Sequence, residues 1–518
     1  MSQRVLDGWA FLSGVLAVAF GVLAGELLAG WLSPSVSPVS AVGSMVIDGL
    51  PPGVKDLAIS LFGTADKVVF LLVMAVVIGV AAGLAGVFEA HRKNAGWLLV
   101  AGFGLLGAAA VFARAQGNTV ALAPPVVAAL LSVALLRIAI ARLRDWRTAQ
   151  ADPTVSLETG RRRFFQVLGA SAAGALLTGL ATGVVRGSVA SYQAARDKLK
   201  LPAPAEPAAP IPAAPIPAAA QLEVPGLRPL VIPNDQFYRI DTALAVPVIN
   251  PDDWQLKITG MVDREVSITM AELLAQPMIE RYVTIACVSN EVGGDLIGNA
   301  RWLGWPVREF LARAGVQPGA DMVLSRSQDG FTASTPIEAL TDDRDSIIAV
   351  GMNGQLLPLE HGFPARLIVP GLYGYVSATK WLTELKVTTF QADLAYWSTR
   401  GWSERGPIKQ SSRIDTPRSG AAVSSGKLVL AGSAWAQTTG ISEVQVQVDD
   451  GQWQSATLAA GISKDTWVQW SAAVEVAPGQ HRVQVRSVDA AGQPQRAEYA
   501  APAPDGSSGY HAIRINAQ

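Results

Sequence analysis

Residues 281–306 read Arg-Tyr-Val-Thr-Ile-Ala-Cys-Val-Ser-Asn-Glu-Val-Gly-Gly-Asp-Leu-Ile-Gly-Asn-Ala-Arg-Trp-Leu-Gly-Trp-Pro, and they contain Cys287, the only cysteine in 518 residues. The β-branched run before Cys287 predicts a strand, the polar glycine-rich segment after it predicts a loop, and residues 307–311 predict an amphipathic helix. This order leaves the sulfur where a strand meets a loop and a ligand can approach the backbone. A lone cysteine is more commonly an inert core residue, so the neighbouring blocks decide between the two interpretations.

A second block reads Gly351-Met-Asn-Gly-Gln-Leu-Leu-Pro-Leu-Glu-His-Gly-Phe-Pro-Ala-Arg-Leu-Ile-Val-Pro-Gly-Leu-Tyr-Gly, and residues 377–381 then read Ser-Ala-Thr-Lys-Trp. Sulfite oxidases carry a very similar motif, Met-Asn-Gly-x-x-Leu-Pro-x-x-His-Gly-[Phe/Tyr]-Pro-x-Arg-x-[Val/Ile]-Val-Pro-Gly, with Lys-Trp shortly after. Because the motif is long, ordered and at the expected distance from the cysteine, the chain from about residue 222 resembles the sulfite oxidase family of molybdopterin-dependent oxidoreductases. The resemblance implies an α+β catalytic domain of the sulfite oxidase type.

The resemblance also implies a molybdopterin cofactor whose metal is bound by the Cys287 thiolate, a soft ligand that such a metal prefers. The residues of the second block that it assigns to the cofactor are His361, Arg366, Ala378, Thr379 and Lys380. These types suit the task, because a pterin that carries a phosphate needs hydrogen-bond donors and cations such as Arg366 and Lys380. Metal coordination would keep Cys287 deprotonated at neutral pH.

A third block, residues 231–241, reads Val-Ile-Pro-Asn-Asp-Gln-Phe-Tyr-Arg-Ile-Asp and resembles an aromatic-rich stretch of the same family. By that resemblance Arg239 lines the anion pocket and is the second catalytic candidate, binding the substrate or an oxo ligand. The pterin neighbours in this block are Asn234, Tyr238 and Asp241. Residues 325–332 resemble the loop that places an aspartate, here Asp329, beside the pterin, although Asp-Gly is also a common turn.

The loop after Cys287 departs from the family pattern. Vertebrate and plant sulfite oxidases have arginines shortly after the metal-binding cysteine, where this chain has Glu291 and Val292. A sulfite dianion would lose favourable charges there and meet a carboxylate. We therefore expect two-electron oxygen-atom transfer on a small substrate, with sulfite a poor candidate. The direction stays open between oxidation and reduction of an S- or N-oxide, as in periplasmic methionine-sulfoxide reductases of the same fold.

The first 190 residues predict an all-α bundle of five transmembrane helices. Apolar stretches at residues 9–31, 68–88, 95–113, 120–141 and 164–185 have, or nearly have, the roughly 20 residues that cross about 30 Å of hydrocarbon. Basic residues cluster at 91–93, 142–147 and 161–163, whereas the turn at 115–119 has none. This distribution predicts that the N-terminus is inside the cell membrane and that the chain after the fifth helix is extracytoplasmic.

Residues 159–168, Thr-Gly-Arg-Arg-Arg-Phe-Phe-Gln-Val-Leu, resemble a twin-arginine export signal followed by a weakly hydrophobic helix. Such signals export proteins that have already folded around their cofactors, which agrees with a molybdopterin enzyme. The same arginines also fit a simple positive-inside flank. The next segment, residues 191–221, contains an Ala/Pro-rich tract and predicts an extended tether that does not pack against the catalytic region.

From about residue 414 the pattern changes to short alternating strands, at 443–448 and 481–488 for example, which predict an all-β immunoglobulin-like sandwich. Trp435, Trp467 and Trp470 are its candidate core aromatics. Relatives often use a similar domain for dimerisation, so a homodimer is a candidate assembly, and the domain is expected to supply no chemistry. The predicted domains are transmembrane helices at 1–190, a linker at 191–221, a molybdopterin domain at 222–412 and a dimerisation domain at 413–518.

Composition limits the partners. The net charge is −1 with no basic run outside the membrane flanks, which gives nucleic-acid binding no support. The four histidines are His91, His361, His481 and His511, and there is no Cys-x-x-Cys-His. Only His91 lies near a predicted span, so we expect no haem in this chain. Electrons would pass to or from a separate redox partner, either a cytochrome or a quinone-linked protein.

Two other classes of protein remain open. One is a non-enzymatic cell-surface binding protein that displays the immunoglobulin-like module on a membrane stalk. The other is a transporter with a regulatory domain, although the predicted spans carry few charged residues, such as Glu26 near the end of the first, and the usual polar translocation pathway is missing. Neither class gives a reason for the blocks around Cys287 and His361, and the metal content of the purified protein distinguishes them from an enzyme.

Overall fold

The computed structural model describes residues 2–32, 37–49, 61, 66–92, 94–114, 119–150, 157–186, 195–207, 220–243 and 246–518 of the chain. These residues form two compact units. The first consists of residues 1–193 with 243–248, and the second of residues 194–242 with 249–518.

The first unit is helical. Its described helices are α1 (Gln3–Leu32), α2 (Pro38–Asp48), α3 (Asp66–His91), α4 (Ala95–Arg114), α5 (Ala123–Ala149) and α6 (Leu157–Arg186). All except α2 are long and apolar enough to cross a membrane, which confirms the prediction of five such helices. Helix α2 was not predicted. The turn at residues 115–118 lies outside the described residues.

Helix α1 packs against α3, α5 and α6. Small residues allow close approach: a Cβ on Gly86 would lie 2.1 Å from the Ala10 carbonyl oxygen, so only glycine fits at this crossing of α1 and α3. Large apolar side chains remain exposed on the outer faces, among them Leu72, Val76, Phe103, Leu105, Leu130, Leu176 and Leu180. A bundle with small residues inside and large apolar residues outside suits a lipid surrounding.

Glu26, the charged residue inside the first span, has a structural use. It is buried, and its carboxylate accepts hydrogen bonds from Ser37 Oγ at 2.8 and 3.0 Å and from the Val39 amide at 2.7 Å. Ser37 is the N-cap of α2. The carboxylate therefore satisfies donors at the start of a short helix, which weakens the case for a polar translocation pathway.

The second unit begins with two sheets that carry the predicted cofactor residues. The first has the strand order β2-β1-β10-β5-β6, and the second has the order β3-β4-β7-β8 with β9 paired to β7. The strands are β1 (Gln255–Gly260), β2 (Val266–Thr269), β3 (Ile279–Ala286), β4 (Ile297–Pro306), β5 (Met322–Ser327), β6 (Thr332–Pro336), β7 (Ile347–Met352), β8 (Gln355–Leu356), β9 (Arg366–Ile368) and β10 (Leu382–Thr388). The helices are α7 (Met270–Leu274), α8 (Val307–Ala314), α9 (Glu338–Thr341) and α10 (Gly374–Ser377). This mixture confirms the α+β prediction.

The predicted strand before Cys287 is β3, but the predicted loop after it was too long. Residues 297–306 form β4, which pairs antiparallel with β3 from Ala286↔Ile297 to Ile279↔Gly304. The polar Asn299 is fully buried in β4 because Thr284 donates to its Oδ1 at 3.2 Å and its Nδ2 donates to the Leu230 carbonyl at 3.0 Å. Partners that are distant in sequence thus make a polar, glycine-containing segment a strand.

The predicted tether is also partly wrong. Residues 208–219 of the Ala/Pro-rich tract lie outside the described residues, but residues 205–206 pair with the start of β3. The Ala205 amide donates to the Met278 carbonyl at 2.7 Å, and the Glu280 amide donates to the Glu206 carbonyl at 2.8 Å. Arg281 then binds the Glu206 carboxylate at 2.6 Å. This part of the tract packs on the catalytic region because β3 offers it unpaired backbone groups.

The C-terminal strands form two sheets, β11-β13-β17-β16 and β12-β19-β18-β14-β15. Their strands are β11 (Ser411–Thr416), β12 (Ala422–Val423), β13 (Gly426–Trp435), β14 (Ile441–Val448), β15 (Gln454–Ser455), β16 (Thr457–Leu458), β17 (Val468–Val476), β18 (Gly479–Asp489) and β19 (His511–Ala517). One core cluster joins both sheets, with Leu430 and Trp470 from the first and Val446 and Val485 from the second. The sandwich prediction is confirmed. Trp470 lies in that core, whereas the indole of the equally buried Trp467 donates to the Leu230 carbonyl.

Candidate functional site

Cys287 lies directly after β3, and its side chain is half-buried. Its amide donates to the Leu296 carbonyl at 2.9 Å, which continues the β3–β4 ladder by one step. Asn290 shapes the loop between them: its amide donates to the Cys287 carbonyl at 3.1 Å, and its Oδ1 accepts from the Leu296 amide at 2.8 Å. The backbone of Cys287 is therefore held at the start of a short loop that has its own internal hydrogen bonds.

Two cations of the second block are buried. Arg366 begins β9 and is 5% exposed, and Lys380 is 7% exposed. Arg366 Nη1 donates to the His361 carbonyl at 3.3 Å, while its Nε has no hydrogen-bond partner among the described residues. Lys380 Nζ donates to Asp241 Oδ2 at 3.1 Å and to the Glu360 carbonyl at 2.9 Å. Burial lowers the pKa of Arg366 to about 10 and that of Lys380 to about 8, although Asp241 opposes the shift in both.

His361 is buried beside these cations. Its Nε2 lies 2.8 Å from the Asn234 carbonyl oxygen, so Nε2 carries the proton and Nδ1 carries a lone pair. Within the described part of the chain, Nδ1 is buried without a partner. Burial, and then the charge of Arg366, lower the pKa of His361 to about 4. The imidazole is therefore neutral at pH 7 and offers one acceptor to a ligand.

Residues 231–241 are tied to the end of β7. Asn353, which follows β7 with a φ of +52°, donates from Nδ2 to Asn234 Oδ1 at 2.8 Å and to the Ile232 carbonyl at 2.9 Å. Asn234 Nδ2 in turn donates to the Met352 carbonyl at 3.3 Å. Asn-Gly is a turn dipeptide that tolerates positive φ, so residues 353–354 hold a turn onto which the third block docks.

Tyr238 stacks on Phe237, with ring centroids 5.2 Å apart. Burial and the charge of Cys287 raise the pKa of Tyr238 above its ordinary value, and Arg366 acts in the opposite sense. The hydroxyl is therefore a neutral donor that shares its surroundings with both the thiol and the guanidinium.

Asp241 holds two cations with one carboxylate. Its side chain is 5% exposed, and Oδ2 lies 2.9 Å from Arg239 Nε as well as 3.1 Å from Lys380 Nζ. Arg239 itself is 41% exposed. The predicted anion-binding arginine is thus oriented by a carboxylate and half open to solvent.

Asp329, Ala378 and Thr379 complete the predicted set. Asp329 lies between β5 and β6, accepting from Thr242 Oγ1 at 3.2 Å and from the Phe331 amide at 3.3 Å. Because Thr242 follows Asp241, this contact links Asp329 to the pair of cations. Ala378 and Thr379 are buried. The Thr379 hydroxyl lies 2.7 Å from Ser325 Oγ, and the Thr379 carbonyl accepts from the Leu367 amide at 3.0 Å.

Sequence reasoning missed Tyr373, which precedes α10 and is 6% exposed. Burial, then the nearby charges of Asp505 and Cys287, raise its pKa to about 12. The only signal was its place between the two glycines of the second block. Three residues of the C-terminal sandwich that contact the Cys287 loop were also missed, namely Arg413, Ser507 and His511.

The donor set fits a molybdopterin. A single soft thiol is available for the metal, and a metal held there would take further ligands from its cofactor. The buried, unpartnered Arg366 Nε and His361 Nδ1 provide a donor and an acceptor, and buried groups of this kind are rarely left unpaired without a ligand. Arg366 and Lys380 supply positive charge for a phosphate.

Comparisons with known proteins agree with this arrangement. Residues 243–397 match the family model described as an oxidoreductase molybdopterin binding domain. The chain is 30% identical over 324 residues to the mitochondrial sulfite oxidase of Drosophila melanogaster. The aligned region covers 52% of this chain and 56% of that protein. The chain is 34% identical over 179 residues to nitrate reductase (NADH) 1 of Arabidopsis thaliana, covering 29% of this chain and 19% of that protein.

Among solved structures, the sulfane dehydrogenase SoxCD from Paracoccus pantotrophus is similar over 56% of this chain and 83% of that chain, with 23% sequence identity and a TM-score of 0.48. The chain spans about half to two thirds of the length of the sulfite oxidases that it matches.

The neutral, buried His361 predicts a pH-dependent stability. With a folded pKa of about 4 against an ordinary value of 6.5, the unfolded chain binds a proton more readily than the folded chain between these values. The neutral His361 contributes its full share to the free energy of unfolding above pH 6.5. This contribution, about 3 kcal/mol, is lost as the pH falls towards 4. His361→Gln keeps a donor for the Asn234 carbonyl but does not titrate, so its denaturant unfolding should vary less across this range.

The matched control is His481→Gln, because His481 is a partly exposed histidine of the sandwich and is bound to Asp449. The free energy of unfolding of that control should fall between pH 6.5 and 4, as it does in the wild-type protein. His511, whose pKa burial also lowers to about 4, is present in all three proteins. Equal slopes between pH 6.5 and 4 for the wild type and His361→Gln would show that His361 is not held neutral by burial.

Proposed function

Because the catalytic part of this chain belongs to the sulfite oxidase family of molybdopterin oxidoreductases, we propose that the protein is a membrane-anchored enzyme of this class. It transfers an oxygen atom to or from a small substrate in a two-electron reaction. Electrons pass between this chain and a separate redox partner, a cytochrome or a quinone-linked protein.

The observation that carries the proposal is the grouping around Cys287. Tyr238 senses the charges of both Cys287 and Arg366, and His361 senses those of Arg366 and Lys380, so these groups from separate segments lie in one region. Among the described residues, Nδ1 of His361 has no hydrogen-bond partner there. When bound, the cofactor supplies the two-electron couple and the oxygen-atom exchange. A protein that only binds or transports an anion could use the buried cations, but it would not need a thiol beside them.

The residues of the chain would each have a distinct task. Cys287 binds the metal as a thiolate, Arg366 and Lys380 neutralise the cofactor phosphate, and neutral His361 accepts a hydrogen bond at Nδ1. Arg239, oriented by Asp241, attracts an anionic part of the substrate at the exposed side. Tyr238 keeps its proton and donates a hydrogen bond next to the thiolate.

The first test is metal content. Protein purified from cells that make the cofactor should contain about one molybdenum per chain. Cys287→Ser should lower turnover by at least about a hundredfold, because losing even a group behind a metal ligand costs about 10–100-fold. Ser289→Ala, an exposed change in the same loop, is the control and should keep both metal and turnover. Wild-type protein without molybdenum would refute the proposal.

Sulfite should be a poor substrate. The charged residues of the loop after Cys287 are Glu291 and Asp295, both exposed and both acidic, and Val292 is half-buried between them. At an effective dielectric constant near 20, a unit charge about 4 Å away contributes up to ~4 kcal/mol, so the loop disfavours a dianion. Val292→Arg should raise kcat/KM for sulfite in steady-state assays with an artificial electron carrier.

The size-matched control for that change is Val292→Gln, which adds length without charge. If Val292→Gln improved sulfite turnover as much as Val292→Arg, charge would not be the cause. A low-micromolar KM for sulfite with fast turnover in the wild-type protein would also contradict the expectation.

We further propose that the catalytic region lies on the extracytoplasmic side, since the basic ends of α3 and α5 and the arginines that begin α6 favour the cytoplasm. Reporter fusions after residue 221 should be active only in an extracytoplasmic assay, and control fusions after residue 150 only in a cytoplasmic one. Changing both Arg161 and Arg162 to Lys should trap the catalytic region inside if the twin-arginine route is used. Cytoplasmic activity of the wild-type fusion after residue 221 would overturn the orientation.

A further inference from the structure

The loop after Cys287 is held from outside the α+β region. Ser507, in the segment before β19, donates from Oγ to the Asn290 carbonyl at 2.7 Å. Arg413, on β11, donates from Nη1 to the Gly294 carbonyl at 2.8 Å. Both donors belong to the C-terminal sandwich, and both acceptors are backbone groups of the loop.

The side chain of Arg413 is held in one orientation by its neighbours. Its side chain is 3% exposed, and its Nε binds Asp415 Oδ1 at 2.7 Å. The guanidinium carbon lies 5.6 Å from the centre of the Trp467 ring. The carboxylate and the indole together fix the orientation of the guanidinium. Its Nη1 donor is thereby directed at the Gly294 carbonyl.

His511 packs directly against the backbone of the same loop. Gly293 has a φ of +78°, and a Cβ on it would lie 2.1 Å from the His511 ring. The ring is itself oriented, since its Nδ1 accepts from the Ile414 amide at 3.0 Å. Only a glycine lets the loop backbone lie against this imidazole.

The sandwich also holds the strand before the cysteine. The Thr284 amide donates to the Asp465 carbonyl at 3.0 Å, and Thr284 Oγ1 accepts from the Trp467 amide at 2.8 Å. Gln437 Nε2 donates to the Thr284 carbonyl. Three polar groups of a residue three positions before Cys287 are thus bonded to the sandwich.

We propose that the C-terminal sandwich is a structural part of the cofactor site, in which Arg413 and Ser507 are positioning residues for Cys287. The sandwich fixes the chain on both sides of the thiol, so the direction of the sulfur is set by two domains together. The domain is still expected to supply no chemistry of its own, but it would act on the chemistry by positioning Cys287. The inference rests on the proposed function only in taking Cys287 as the metal ligand.

The test uses the full-length holoenzyme in detergent. Ser507→Ala removes one donor to the loop, and Ser507→Thr keeps a hydroxyl. The matched control is Ser508→Ala, because the neighbouring Ser508 hydroxyl donates to the Glu498 carbonyl inside the sandwich. Arg413→Lys keeps the charge but cannot bond Asp415 and Gly294 with a fixed planar fork.

Two readouts are needed. Hydrogen–deuterium exchange of peptides spanning residues 288–296 should be faster by about tenfold in Ser507→Ala and Arg413→Lys, since losing one such bond frees the loop locally. Peptides of β7 should be unchanged. The thiolate-to-metal charge-transfer absorption of the oxidised enzyme should shift in the same two variants, and Ser507→Thr should restore both readouts.

The proposal would be overturned if Ser507→Ala had the same hydrogen–deuterium exchange rate and the same absorption as the wild-type enzyme. It would also be overturned if Ser508→Ala changed both readouts as much as Ser507→Ala. If Arg413→Lys does not fold, the Ser507 variants still decide. If the wild-type protein contains no molybdenum, the proposed function fails, whereas the exchange measurement still reports whether the sandwich holds the loop.

Discussion

The second unit is organised around buried positive charge. Arg366 and Lys380 are both more than nine-tenths buried, and Asp241 is the carboxylate that reaches Lys380 while also binding Arg239. Removing cations from water costs several kcal/mol each unless anions compensate, and here one carboxylate faces two cations. Burial lowers the pKa values of Arg366 and Lys380. The surplus charge adds to this effect at Lys380, because Arg366 also lowers its pKa, and it assists burial in keeping His361 neutral. A site with this surplus is prepared for an anionic ligand, and a phosphate-bearing cofactor supplies that charge.

Several segments cooperate to keep these groups in place. His361 orients its ring on the Asn234 carbonyl, and Asn353 holds the same segment through its side chain. The left-handed turn at residues 353–354 therefore does more than reverse the chain, because it sets the position of the third block relative to the second. The ring of His361 is thus oriented by a backbone acceptor that lies far away in sequence.

The sequence indicated candidate cofactor residues because the motif records them in order, with His361, Arg366 and Lys380 in one short stretch. The structure buries all three, and their binding of a cofactor stays a prediction. The five long helices and the sandwich were predictable as well, since their hydrophobic patterns are local. Strand β4 was not, because Asn299 becomes a core residue only through Thr284 and Leu230. The pairing of residues 205–206 with β3 and the hydrogen bond of Arg413 to the Cys287 loop also depend on partners that no local pattern reveals.

The buried cations and the acidic loop after Cys287 occupy separate parts of the predicted site. The cations that suit a phosphate lie on β9 and after α10, where they are buried and enclosed by backbone acceptors. The loop after Cys287 instead exposes Glu291, and its shape is set by backbone bonds to Asn290 and to the sandwich. Side chains on such a loop can change charge without disturbing the cofactor cations. Under the proposed function, the exposed Glu291 therefore acts on the charge of the substrate, whereas the buried Arg366 and Lys380 act on the cofactor phosphate.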